Sequence, residues 1–334
     1  MIKRVFAVIC VILVLSAALS AADYPKRIVF DTDIGSDVDD GLALSLIHAM
    51  IARGELDLLA VTSTNASALV PGYVRMLNGY FGRPDIPIGT PDMPPMLMDG
   101  NFMRLTLDAL EAHCVADPSA PPPAEPAVPL LRRVLAESPD RSVTILMVGF
   151  ATNLARLLDS PADEISPLTG RELIARKTDR LIVMAGTFND RPADYVENNI
   201  RFDIEAARRV ADDWPVPVVW EGHEIGSRLL FPLERLDRIF AADPEMPAYV
   251  SCRHFGIPTM ALWDLAVPLY AVHPDYFRLG PPGRVTIRED GTCAFTPEEN
   301  GRDRYFEPLT DEESTRILEA FGWLLSQPPR RNAD

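Results

Sequence analysis

The sequence predicts an α/β fold: an open, mostly parallel central sheet flanked by helices. Three observations predict it. Short apolar runs suited to buried strands recur along the chain, segments of helical periodicity separate them, and a strongly acidic loop directly follows the first run. Strands alternating with helices give a parallel sheet covered on both faces. Ligands of such sheets bind outside the carboxyl ends of the strands.

Residues 1–22 have the make-up of an export signal. Lys3 and Arg4 precede the apolar run Val5 to Leu15, and small residues lead to a cleavage site at Ser20-Ala21-Ala22. The run is shorter than the ~20 residues of a spanning helix. No stable membrane anchor is expected after cleavage, and a periplasmic or extracellular location is. Residues 23–334 are read as a single domain, a length that suits one large α/β unit.

Arg27-Ile28-Val29-Phe30 reads as the first buried strand. The acidic loop follows, and Gly41 to Ala52 continues with apolar residues at helical spacing. Asp39 and Asp40 stand near that helix start, where the positive end of the dipole favours carboxylates. The unit repeats along the chain. Leu58 to Thr62, Ser142 to Val148, Arg180 to Met184 and Val216 to Trp220 read as strands. Asn153 to Leu158 and Ile204 to Asp213 read as helical. Arg284 to Phe295 reads as a hairpin turning at Asp290-Gly291, and Asp311 to Leu325 as an amphipathic helix. The stretch from Pro91 to Pro129, with Pro94-Pro95 and Pro121-Pro122-Pro123, reads as an excursion or lid. No internal repeat is found.

Composition narrows the function classes. Hydrophobic residues make up 47% of the chain, enough for a sizeable core, and the formal net charge is -16. No basic stripe is present to bind a nucleic acid. A small ligand held with the help of a cation fits better. Cys114, Cys252 and Cys293 remain after the signal; an odd number cannot pair fully, and their spacing matches no zinc motif.

The loop carries the chemistry. Asp31, Asp33, Asp37, Asp39 and Asp40 are five Asp residues within ten positions. Packed together they repel unless a cation neutralises them, and oxygen ligands select hard cations, chiefly Ca²⁺ or Mg²⁺. An EF-hand starting at Asp31 fails, because Ser36 and Leu42 stand where Gly and Glu are needed. A haloacid dehalogenase-type phosphatase also places Asp-x-Asp after its first strand. There Thr or Val usually stands two places after the second Asp; here Gly35 does. Asp264, inside the apolar stretch Met260 to Tyr270, is a buried carboxylate in want of a partner or a metal. Thr152 reads as a helix N-cap.

The loop resembles the inosine-uridine-preferring nucleoside hydrolase signature, Asp-x-Asp-Pro-Gly-x-Asp-Asp-Ala. Four further segments are similar to that family's, in order. They are Val148-Gly149-Phe150-Ala151-Thr152-Asn153, Ile182-Val183-Met184-Ala185-Gly186, Glu197 to Ala207, and Trp263-Asp264-Leu265-Ala266-Val267. The resemblance implies calcium-dependent hydrolysis of the N-glycosidic bond of ribonucleosides, giving ribose and a free base. By resemblance Asp33 is the general base and touches the calcium. Asp40, the Thr152 carbonyl and Asp264 are its other ligands. Asp39 accepts from a ribose hydroxyl, and Asn65, Glu197 and Asn199 contact the ribose. A homo-oligomer is implied in the same way.

This chain departs from the family at several points. The acidic loop is two residues longer, so Asp37 and Asp39 are interchangeable on the sequence. Ile34 replaces Pro. Trp263 stands where many members carry a His that protonates the leaving base; a Trp stacks on a base but has no ionisable proton to give. His223 is the candidate acid in its place, and Asn189 the candidate for a further ribose-contacting Asn. Two other classes stay open on the sequence: an exported nucleoside- or sugar-binding protein that keeps the metal site without hydrolysis, and a metal-dependent phosphatase.

Overall fold

Ile28, Val29 and Phe30 are apolar and stiff or broad at the β-carbon, which suits a pleated surface buried on both sides. They form the middle of β1 (Lys26–Thr32), the central strand. The structure, a computed structural model, describes residues 25–91, 100–110, 124–188, 192 and 194–327. The export signal, Asn189, Cys114 and the proline clusters at 94–95 and 121–123 lie outside the described residues.

β1 pairs in parallel with β2 (Leu56–Ser63) on one side and β5 (Val143–Met147) on the other. β3 (Ile88–Thr90) and β4 (Glu125–Pro126) extend the sheet beyond β2. β6 (Thr178–Met184), β7 (Val218–Glu221) and β12 (Asp303–Tyr305) extend it beyond β5, all in parallel. β10 (Gly283–Ile287) and β11 (Cys293–Pro297) close that edge as the antiparallel hairpin expected around Asp290-Gly291. The ten-stranded order is β11-β10-β12-β7-β6-β5-β1-β2-β3-β4. The chain therefore builds outward from β1 in one direction and then returns to build from β1 in the other. That reversal opens a crevice at the carboxyl ends of β1 and β5, the place where open α/β sheets bind ligands.

Strand residues alternate between two cores. Ile28, Phe30, Leu146, Ile182 and Val219 pack on one face against helices that include Asp39–Ala52 and Asp311–Leu325. Val29, Ile145, Leu181, Val183 and Trp220 pack on the other, against helices that include Thr152–Asp159 and Ile204–Asp213. The unbroken apolar runs thus reflect a sheet covered on both sides.

The proline-rich excursion is described in part. Its described parts supply β4 and the helix Asn101–Leu110. Met103 of that helix packs over the acidic loop, where a β-carbon on Gly35 would lie 2.3 Å from its Cε. A separate two-stranded ribbon pairs β8 (Leu230–Pro232) with β9 (Thr259–Ala261). Leu262 then donates its N–H to the Leu229 carbonyl at 3.1 Å. This ribbon delivers Trp263 and Asp264 to the crevice from far along the chain. Among the described residues no helix is long and apolar enough to cross a membrane, and Cys252 and Cys293 are free thiols.

Candidate active site

The acidic loop is folded, not splayed. The Thr32 hydroxyl donates to Asp40 and accepts the Ile34 N–H at 3.1 Å. Ser36 donates its N–H to the Asp33 carbonyl at 3.1 Å, closing a turn that Gly35 allows with φ of 104°. The turn leads Asp39 and Asp40 into the first turn of the helix Asp39–Ala52. There they meet Asp264: one oxygen from each of the three carboxylates lies within 4.8 Å of the others. The Asp33 carboxylate lies close enough for its charge to act on all three. Asp39 Oδ2 accepts the main-chain N–H of Trp263 at 2.9 Å and of Asp264 at 3.1 Å. Asp37 is half-buried and accepts the neighbouring Val38 N–H at 2.6 Å. The fold thus distinguishes two residues that the sequence left interchangeable: Asp39 joins the cluster, and Asp37 binds its own loop.

Burial dominates the electrostatics. It pushes the Asp33 carboxyl up to about 6 and those of Asp39, Asp40 and Asp264 well above the usual carboxylate range. Neighbouring carboxylates raise each further. Buried like charges in this arrangement call for a cation or for protons. The donors are all oxygen, so the set fits a hard divalent cation. The Thr152 hydroxyl is engaged, donating to Asp203 Oδ2 at 2.6 Å. The atom Thr152 would offer a metal is therefore its main-chain carbonyl.

The remaining expected residues surround this centre. Glu197 is the N-cap of the helix Asn198–Arg201; its carboxylate accepts the N–H groups of Asn199, Ile200 and Gly186. Burial pushes it up to about 7, and the Asp33 charge adds to the rise. The Asn199 amide donates to the Val148 carbonyl at 2.7 Å and to the Met184 carbonyl at 3.0 Å, bridging the ends of β5 and β6. The Asn65 amide donates to the Ile34 carbonyl at 3.1 Å. Each of these three side chains braces a loop at the carboxyl end of the sheet. Trp263 stacks on His223, with ring centroids 5.3 Å apart and planes at 28°. Its indole N–H donates to the His223 carbonyl at 3.0 Å.

The family model described as inosine-uridine preferring nucleoside hydrolase matches residues 28–317. The chain belongs to this nucleoside hydrolase family. Solved nucleoside hydrolases share its fold. A plant nucleoside hydrolase is 21% identical with a TM-score of 0.67, over 91% of this chain and 100% of that one. The inosine-uridine preferring hydrolase from Bacillus anthracis is 19% identical at 0.68, over 90% and 99%. The purine-preferring ribonucleoside hydrolase from Gardnerella vaginalis is 16% identical at 0.69, over 90% and 98%. No curated protein matches the chain by sequence. As a member of its family, this nucleoside hydrolase is a metal-dependent N-ribosyl hydrolase, and its buried acidic cluster agrees with that.

Two features of the nucleoside hydrolase site escape sequence reasoning. Glu221, the last residue of β7, is fully enclosed with neither carboxylate oxygen hydrogen-bonded. Burial and the charges of Asp39 and Glu224 push it well above the usual range. Nothing local marks it, because a Glu that ends a Val-Val-Trp run reads as a solvated strand end. The second is Asn153, whose amide crosses to β1 and β2. Its place in the motif beside Thr152 was a signal that could have singled it out.

Proposed function

We propose that the mature chain is an exported, calcium-dependent hydrolase of ribonucleosides that yields ribose and a free base. The observation that carries this reading is the Asp33 carboxylate beside the Asp39, Asp40 and Asp264 cluster at the switch of the sheet. Asp33, Asp40, Asp264 and the Thr152 carbonyl would hold the calcium. When bound, that ion supplies a template for the ribose hydroxyls and the attacking water.

Asp33 takes the proton from water as its oxygen bonds to the anomeric carbon. The bond from that carbon to the base nitrogen breaks, with positive charge developing on the sugar. The surrounding carboxylates stabilise that charge in a buried setting where electrostatic terms are strong. Asp39 accepts from a ribose hydroxyl. Asn65, Asn189, Glu197 and Asn199 shape the ribose side. Trp263 offers an aromatic face to the leaving base, and His223, stacked against it, delivers a proton to the departing nitrogen.

Release of ribose from inosine, adenosine and uridine by the mature chain with calcium tests the reading. Asp33→Asn is expected to lower kcat by about 10²–10⁴-fold, the usual worth of a general base. Absence of turnover on all three nucleosides, with wild type and Asp33→Asn alike, overturns it.

A further inference from the structure

Asn153 follows Thr152 in the first turn of the helix Thr152–Asp159 and is buried. An Asn near a helix start ordinarily serves its own backbone. Here the side chain leaves its helix. Its amide donates to Asp31 Oδ1 at 2.8 Å and to the Ser63 carbonyl at 2.9 Å. One side chain thus ties the segment after β5 to both β1 and β2. Asp31 Oδ1 also accepts from the Thr62 hydroxyl at 2.5 Å, so the anchor is itself fixed from β2. On its other side the same helix start is held by the bond from the Thr152 hydroxyl to Asp203. Thr152 and Asn153 are therefore clamped from two directions, and the β1 anchor, Asp31, stands two residues before Asp33.

We propose that Asn153 is a positioning residue for the metal centre, fixing the segment that carries the Thr152 carbonyl against β1 at the start of the acidic loop. The inference rests on the proposed calcium reading. It assigns to Asn153 a task distinct from holding the fold, because the bond ties the segment that carries Thr152 to the strand that leads into Asp33. Partners of this kind that orient metal ligands change metal affinity by about 10–100-fold when lost.

The test is calcium titration by calorimetry on the full mature chain, with thermal unfolding alongside. Asn153→Ala is expected to weaken calcium binding at least about tenfold. Asn153→Ser, which keeps a short donor, carries the same comparison if the alanine variant does not fold. Arg132→Met is the control. That buried guanidinium donates to Asp163, Ser160 and the Ser166 and Leu168 carbonyls, away from the crevice. It is expected to lower the melting temperature and leave calcium affinity unchanged. Folded Asn153 variants that bind calcium like wild type overturn the inference while leaving the metal reading intact. Wild-type protein that takes up no calcium overturns both.

Discussion

Asp39 accepts the main-chain N–H of Asp264 at 3.1 Å, although the two residues are 225 positions apart. The same oxygen accepts the Trp263 N–H. One carboxylate therefore serves the cluster and also fixes the turn that carries another member of it. Asp39→Asn keeps an acceptor for that turn, whereas Asp39→Ala leaves two buried N–H groups without one. With calcium saturating, the alanine variant is expected to be less stable than the asparagine variant by roughly 1 kcal/mol per lost bond. Denaturant unfolding of the two variants checks this, and equal stability would show that the turn stands without Asp39.

Activity should depend on the ionisation of Asp33. Burial raises its carboxyl to about 6, and only the deprotonated form can accept a proton from water. A bound cation favours that form. kcat/KM is therefore expected to fall in acid along a limb near or below pH 6. The limb should move to lower pH as calcium is raised from limiting to saturating. A limb indifferent to calcium would separate Asp33 from the metal centre.

The metal-free protein should respond to pH in the opposite sense. Asp31 and Glu197 are raised to about 7 and Asp33 to about 6, all by burial. A carboxyl raised on folding holds its proton more tightly in the native state. Its stabilising contribution is complete below the unfolded value near 4 and is lost as pH rises through 6 to 7. Melting temperature without metal is thus expected to fall between about pH 5 and pH 8. Calcium needs its ligands deprotonated, so the rise in melting temperature on adding it should grow over the same interval. Differential scanning calorimetry with calcium and with chelator compares the two.

Legibility in the sequence followed the length of each element and the distance over which its partners lie. β1, β5 and the helices Ile204–Asp213 and Asp311–Leu325 were readable, since each holds enough apolar residues to show a period. β3, β4 and β8 run for three, two and three residues, too few to repeat anything. They form because the sheet edge and the ribbon partner supply hydrogen bonds. In the site, residue type and order marked Asp33, Asp40 and Asp264. Side-chain bonding was hidden: nothing in the sequence shows that Glu197 and Asn65 also bond backbone groups at the carboxyl end of the sheet. Glu221 was invisible because its burial is set by the folded chain, and Asp39, whose charge acts on it, lies far away in the sequence.

Gly149 gives a sharper test of how closely β1 and β5 must approach. A β-carbon there would lie 2.5 Å from the Asp33 nitrogen and 2.7 Å from the Thr32 carbonyl carbon. Backbone cannot yield as a flexible side chain would. Gly149→Ala is expected to cost about 1–3 kcal/mol, as overpacking does. It should also lower kcat, because the atom displaced belongs to the proposed base. Unfolding and ribose-release assays on this variant read the two effects separately; a stability loss with unchanged kcat would mean that the strain dissipates before it reaches the Asp33 carboxylate.

Trp263 and His223 invite a paired experiment, because they touch yet are assigned different tasks. Their rings stack at 5.3 Å, and the indole N–H is tied to the His223 carbonyl, so each holds the other in place. Gly226 enforces the contact: a β-carbon there would lie 2.1 Å from Trp263 Cδ1. Stacking of a base on an aromatic ring is worth about 1–3 kcal/mol. Trp263→Ala should therefore raise KM, most for purine nucleosides with their larger faces. Loss of an acid that protonates the leaving base should act on kcat, by about 10²–10⁴-fold. His223→Gln, which keeps size and polarity without a titratable nitrogen, is expected to lower kcat by that factor. Steady-state kinetics on inosine and uridine decide the matter. A His223→Gln variant with the kcat of wild type would show that the proton reaches the base by another route.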